Sequence, residues 1–435
     1  MTGTNKNYTI QACRSRGEGR SGKLCAIAAG LCILISCSNL SISPSDRENQ
    51  QVATLQNCAA DAGNQFAFDL YGRYCGDGKN MVFSPYSITS ALTVAFEGAR
   101  GATASEMRAV LHLPQDSMKV RRDFKTIDSS LNHPASDSCT LTTANALWAQ
   151  KEYPFVPAYF TVAQNYYGCG LTNVDYITDA EAVRLMINSW VETKTNSRIK
   201  DIIPQGLLDA LTRLVITNTV YFKSNWLSRF DSAATNDLPF TLASGAPVTV
   251  RMMHQTNYFN YAETVNFQVL EMPYLGSDFS MVFLLPKTAP LSSVETSVTG
   301  GKLAYWLESM ENQEVAVSVP RFKLETKYSL NESLAALGMK QAFDPRKADF
   351  SAMSMITAVE RLYIVAVLHK VFIELCEAGT EAAAATAVII GTTSCPGPKP
   401  PPKIFNADRP FMFLIRHLPT GSVLFLGKVE NPAAQ

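Results

Sequence analysis

The chain has 435 residues, 46% of them apolar, and equal numbers of basic and acidic side chains, 38 each. That length buries a large core, and a formal charge of zero argues against a nucleic-acid-binding surface. Apolar and polar segments interleave evenly from about residue 60 onward, so one large domain is expected rather than the two or three that length alone would suggest.

The first 37 residues read as a targeting segment. Lys6, Arg14, Arg16, Arg20 and Lys23 precede thirteen apolar or small residues, Leu24 to Ser36, which is too short to span a bilayer but suits a signal-peptide core. Residues 1–36 carry a net +4, which leaves −4 on the rest. The segment ends in Leu34-Ile-Ser-Cys37, similar to the lipobox of bacterial lipoproteins. Lipidation of Cys37, with 38–55 as a polar tether to a membrane surface, is the expectation; plain secretion with a free Cys37 is the alternative.

Thr103 with Glu106, and Thr178 with Glu181, have the spacing of helix capping boxes, the second opening a helix through about Thr195. Lys119, Arg121, Arg122 and Lys125 form a small basic cluster, but Asp116, Asp123 and Asp128 are interspersed, which predicts a solvated surface. Phe279 to Leu285 reads as a strand. The run from Leu362 to Leu375, β-branched and aromatic, reads as a long one. Phe411 to Arg416 and Val423 to Val429 form a hairpin closed by Leu418-Pro-Thr-Gly421. Gly397-Pro-Lys-Pro-Pro-Pro-Lys403 favours extended polyproline II, outside any sheet.

No catalytic or metal motif accompanies these elements. His112, His133, His254, His369 and His417 show no metalloprotease spacing, and there is no nucleophile elbow or P-loop. Gly98-Ala-Arg-Gly101 lacks the following Lys-Ser/Thr of a phosphate cradle. The ten cysteines include no Cys-x-x-Cys pair, and no histidine stands at ligand spacing from them. Neither an enzyme nor a cofactor is expected.

The most informative stretch follows the long strand. Glu377-Ala-Gly379-Thr380-Glu381-Ala382-Ala383-Ala384-Ala385-Thr386 favours helix by propensity, yet a strand runs directly into it and it has no large core-forming side chain. Such a segment is able to change conformation. It resembles the reactive-loop hinge of serpins, the conformationally trapping protease inhibitors. Further blocks in serpin order extend the resemblance from about residue 60 to Pro432. They are Asn80-Met-Val-Phe-Ser-Pro-Tyr-Ser-Ile88, Gly98-Ala-Arg-Gly-Ala-Thr103 with the helical Ser105 to Leu113, Asn218-Thr-Val-Tyr-Phe-Lys-Ser-Asn-Trp226, Val319-Pro-Arg-Phe322, Asp408-Arg-Pro-Phe-Met-Phe-Leu414 and Leu424-Phe-Leu-Gly-Lys-Val-Glu-Asn-Pro432.

The resemblance implies an α+β serpin fold over 56–435: one domain with three β-sheets, about eight or nine helices, and an exposed reactive loop over about 377–404. A protease would cleave the loop and form an acyl-enzyme. The loop would then insert into the main sheet, carrying the protease across. Fourteen residues, Thr380 to Thr393, span roughly 45 Å when extended at ~3.3 Å each. Alternation places Thr380, Ala382, Ala384 and Thr386 on the core face, all small and uncharged, with Glu381 facing solvent. The family commonly places the scissile bond after the fourteenth residue past the hinge glycine. Here that puts it between Thr393 and Ser394, with Thr392 or Ser394 as the residue before the cut if the length slips by one. Its small, uncharged surroundings suit elastase-like or subtilisin-like serine proteases, with cysteine proteases as secondary targets. Ser84, Ser87, Asn218 and His369 match the family's polar shutter cluster, and Trp226 matches the aromatic at the breach. A disulfide between Cys139 and Cys169, at the starts of neighbouring strands, stands open beside free thiols. The expected product is a monomeric, extracytoplasmic suicide-substrate inhibitor; the alternative is a non-inhibitory, surface-anchored binding or scaffold serpin.

Overall fold

The structure is a computed structural model, which describes residues 59–132, 139–356, 361–380 and 400–434. Helix α1 (Ala59–Tyr71) and strand β1 (Met81–Phe83) lead to α2 (Pro85–Gly98). The Ser84 hydroxyl caps α2 by accepting from the Ser87 N–H, and Pro85 sits at the first turn, where its missing donor costs nothing. Nearly every residue of α2 is buried, as expected of a helix packed on all sides. Helices α3 (Gly101–Val110) and α4 (Ser117–Asn132) precede β2 (Cys139–Gln150), then α5 (Pro157–Tyr167), β3 (Gly170–Val174), α6 (Tyr176–Lys194) and β4 (Leu214–Asn225). A run of strands follows: β5 (Asn236–Thr241), β6 (Pro247–Glu263), β7 (Phe267–Pro273) and β8 (Phe279–Pro286). After α7 (Leu291–Glu295) and α8 (Gly300–Glu308) come β9 (Glu311–Pro320), β10 (Phe322–Ser329) and α9 (Asn331–Leu337). The last strands are β11 (Leu368–Cys376), β12 (Gly379–Thr380), β13 (Lys403–Asn406), β14 (Phe411–His417) and β15 (Val423–Val429).

The strands form two hydrogen-bonded networks. One has six strands in the order β10-β11-β12-β4-β2-β3; the other has nine, β1-β15-β14-β8-β7-β6-β9-β13, with β5 paired to β6. The second and third expected sheets are continuous here because β6 is long enough to serve both. Its first residues pair with β5 and its last four with β7. The main core lies between the networks, with α2 packed against β4 and β15. A smaller core, including Trp148, Tyr176, Ile187 and Val191, covers the other face of the six-stranded sheet beneath α6.

Several sequence expectations are corrected. The cap of α6 is Asp175, which accepts from the Ile177 and Thr178 N–H groups. A second start occurs at Asp179, a kink at φ −154°, ψ 75° whose carboxylate accepts from the Ala182 N–H. Glu181 pairs with Arg184 rather than closing a capping box. Thr103 and Glu106 accept from backbone N–H groups of Asp349 and of Lys340 and Gln341, so they tie α3 to a distant segment. The strand read from Leu362 begins only at Leu368, where its partner β10 ends. The preceding residues are held instead by the Asn331 side chain, bonded to Val365 O and Val367 N. Lys403 belongs to β13, one residue past the prolines that cannot donate to a ladder.

The Cys139–Cys169 disulfide is also corrected. Strands β2 and β3 are parallel with Ala146 beside Gly170, so Cys169 lies level with Asn145, six residues along from Cys139. At ~3.3 Å per residue that is about 20 Å, against a bridging limit of about 7 Å. Cys169 is a buried free thiol, pushed up to about 12 by burial.

Candidate functional site

The hinge begins inside the six-stranded sheet. Gly379 and Thr380 form β12, paired to Cys376 and Leu375 on one side and to Asn225 and Ser224 on the other. Gly379 has φ +149°, and a Cβ there would stand 2.0 Å from the Ser224 carbonyl oxygen, so only glycine fits between the strands. Thr380 is 1% exposed, its hydroxyl 2.6 Å from that of Tyr274. Tyr274 in turn stacks on Trp226, ring centroids 4.5 Å apart. Trp226 donates its backbone N–H to Ala378 O at 2.8 Å and its indole N–H to Cys376 O at 3.1 Å.

Glu377 bolts the turn from the opposite side. Its carboxylate accepts from Arg321 Nε at 2.7 Å and Thr235 Oγ1 at 2.5 Å. Burial opposes its charge, but the hydrogen bonds from Arg321 and Thr235 outweigh that and hold its carboxyl below the usual range. The turn into β12 is therefore held at three residues, 376, 377 and 378.

Below β12 the sheet changes character. Among the described residues no ladder pairs β4 with β11; β12 alone bridges them, at their upper ends. Among the described residues, three of the four buried side-chain oxygens without a hydrogen-bond partner lie on β4: Asn218 Oδ1, Thr219 Oγ1 and Ser224 Oγ. The fourth, Thr89 Oγ1, is on α2 beneath. Native interiors satisfy nearly all such groups, so their concentration on one strand sets β4 apart from the rest of the core.

The polar residues under the sheet fall into two adjoining groups. His369 on β11 accepts the Ser84 N–H at 2.9 Å, and Ser84 caps Ser87. Burial pushes His369 down to about 3, so the ring is neutral, as an accepting nitrogen requires. Asn218 does not meet these residues. Its amide bonds Asn145, its cross-strand partner on β2, and Asn145 donates to Tyr167 O at 2.7 Å.

Sequence reading thus named Gly379, Thr380 and Trp226, which the structure joins in one contact set. It grouped Ser84, Ser87 and His369, which the structure joins in another, with Asn218, which it does not. It missed Tyr274, Arg321, Thr235 and Asn145. An asparagine between Ala144 and Ala146-Leu-Trp148 was the available signal for Asn145; nothing local marks Tyr274. Glu381 to Thr386, Thr393, Ser394 and Cys37 lie outside the described residues. In the basic cluster, Lys119 pairs with Asp123, Arg121 with the buried Glu97, and Arg122 with Asp116, while Lys125 lies over the Tyr166 ring.

Comparison with known proteins agrees with this geometry. A family model described as serpin (serine protease inhibitor) matches residues 61–432. An uncharacterized serpin-like protein of Thermococcus kodakarensis is 44% identical over 86% of this chain and 85% of its own length. Human leukocyte elastase inhibitor is 38% identical over 86% of this chain and 99% of its own. Among solved structures, a loop-inserted, cleaved ovalbumin mutant matches with a TM-score of 0.76, at 28% identity over 86% of this chain and all of that one. The native thermophilic serpin tengpin matches with a TM-score of 0.75, at 28% identity over 85% of this chain and 93% of its own. This chain belongs to the serpin family.

Proposed function

We propose that the protein inhibits extracytoplasmic serine proteases of elastase-like or subtilisin-like type as a suicide substrate, trapping the acyl-enzyme by drawing its cleaved loop into the six-stranded sheet. The observation that carries the reading is the seat of Thr380. It is a small residue, fully buried, already occupying a strand position between β4 and β11, above a stretch where these two strands share no ladder among the described residues. A loop cut at Thr393–Ser394 would continue the strand that Gly379 and Thr380 begin. Alternation would put only the small, uncharged Thr380, Ala382, Ala384 and Thr386 on the core face and Glu381 on the other, so insertion would bring no ion into the core. The likeness to a leukocyte elastase inhibitor supports the choice of protease class. The signal-like leader and Cys37 support placement outside the cytoplasm, on a lipid anchor.

The test is a denaturing gel after incubation with elastase, with subtilisin, and with a papain-like cysteine protease. A heat-stable band near the summed masses is expected with at least one serine protease. Complete loop cleavage without any such band would leave the protein a substrate and overturn the inhibitory reading.

A further inference from the structure

The downstream end of the loop meets the fold at β13, a four-residue strand that among the described residues is paired on one side only, parallel to β9. Its anchor in the core is Phe405, fully buried against Phe283. Its leading end has no such anchor. Pro400 to Pro402 are exposed and cannot donate to a ladder, and Ile404 is 69% exposed. Two side chains from the β6–β7 hairpin hold this end instead. Glu263 Oε1 accepts from Lys403 Nζ at 2.9 Å, and Gln268 Nε2 donates to the Ile404 carbonyl at 2.7 Å.

Both arms are themselves braced. Glu263 and Gln268 are cross-strand partners at the hairpin end, and the adjoining turn is closed by the Thr264 hydroxyl, which accepts from the Asn266 and Phe267 N–H groups. Lys287 binds the second Glu263 oxygen at 2.8 Å. Gln268 also reaches the Tyr261 hydroxyl, at 2.7 Å.

We propose that Glu263 and Gln268 form a clamp on the foot of the loop and set how long the intact, uncut protein keeps its loop out of the sheet. A chain fixed at Thr380 and at Lys403 cannot slide into the sheet without slack. Slack comes either from a cut or from β13 peeling away, starting at Lys403, where any pull from the loop is applied. The clamp guards that starting point, whereas Phe405 and the ladder resist only later steps. These are positioning residues, and the proposal rests on the inhibitory reading for its consequence, not for its geometry.

The test compares the wild type with Glu263→Ala/Gln268→Ala, Lys403→Met and Lys403→Arg. Amide hydrogen exchange at Ile404, Phe405 and Asn406 in the intact protein reads the clamp directly. An ion pair and a side chain–backbone bond together should speed exchange roughly tenfold when lost. In parallel, the uncut protein is held at a fixed warm temperature. Loss of complex formation with full-length mass retained should be several-fold faster in the double variant and in Lys403→Met, and close to wild type in Lys403→Arg. Unchanged exchange and unchanged half-life in the double variant and Lys403→Met overturn the clamp, as does Lys403→Arg behaving like Lys403→Met. If the wild type traps no protease but the variants still exchange faster, the clamp stands and the inhibitory reading falls.

Discussion

The two strand networks differ in how completely they are paired. In the nine-stranded one, β8 and β15 are buried at every position and ladders run unbroken from β1 to β13. Its buried carboxylate, Glu271, is fully engaged, by Ser280, Asn260 and Arg416. In the six-stranded one, among the described residues, β4 carries three orphaned oxygens and meets β11 only through the two residues of β12. Among the described residues, one interior is satisfied. The other leaves donors and acceptors waiting, at about 1–3 kcal/mol for each buried group left unpaired. That difference is what a fold needs if one sheet is to open while the rest keeps its shape.

The largest effect tests the comparison outright. Clean cleavage at Thr393–Ser394 should raise thermal stability, the reverse of nicking an ordinary loop. A strand filling the space between β4 and β11 gains ladder bonds on both sides at about 1 kcal/mol each. The sum is on the order of 10 kcal/mol, or roughly 10 °C or more in Tm. A Tm that stays level or falls after cleavage would show that the six-stranded sheet is as closed as its neighbour.

Next in size is Thr380→Arg. The residue is 1% exposed beside Tyr274, so a guanidinium there costs at least several kcal/mol of uncompensated burial. That cost would expel position 380 from its strand seat in the intact protein, and the rest of the loop could enter only by burying the guanidinium again. Insertion slowed in this way lets the acyl-enzyme hydrolyse, so cleaved monomer should replace covalent complex on gels. Unchanged stoichiometry would mean that position 380 does not gate insertion.

Phe283→Ala probes the satisfied side. The ring is fully buried against Phe405 and Phe411, and its loss should cost about 3–5 kcal/mol through the cavity it leaves. The cost should fall equally on intact and cleaved protein, with the gain on cleavage preserved. A variant that loses that gain would show that the two networks are coupled rather than independent.

How much of this was legible depends on the range of each interaction. The hairpin of β14 and β15 and the strand at Phe279 are local patterns of apolar run and turn, and both read correctly from sequence. The seat of Gly379 and Thr380 was legible only through resemblance, since propensity alone favours helix there. Tyr274, Arg321 and Thr235 were invisible because each lies at least 56 positions from the hinge residue it holds. The failed capping boxes teach the same lesson from the other side. Thr103 and Glu106 have the right local spacing, but distant backbone donors claimed their oxygens.

The smallest effect separates the networks by acid. His369 on β11 is pushed down to about 3 and His417 on β14 to about 4, both by burial, from an ordinary value of 6.5. A histidine kept neutral in the fold but free to charge when unfolded takes nothing from stability above pH 6.5. Below that the unfolded state binds the proton and the fold does not, so stability falls until the folded value is reached. At pH 5 each ring should therefore cost about 2 kcal/mol relative to pH 8. Replacing His369 with Asn keeps an acceptor for the Ser84 N–H and removes the titration. Urea unfolding of His369→Asn at pH 8 and pH 5 should show an acid loss about 2 kcal/mol smaller than wild type, whatever constant offset the substitution adds. His417→Asn should recover a similar amount. The same acid loss in His369→Asn and wild type would mean that the ring beneath the parting strands is already open to protons, and that this sheet is looser at its base than at its mouth.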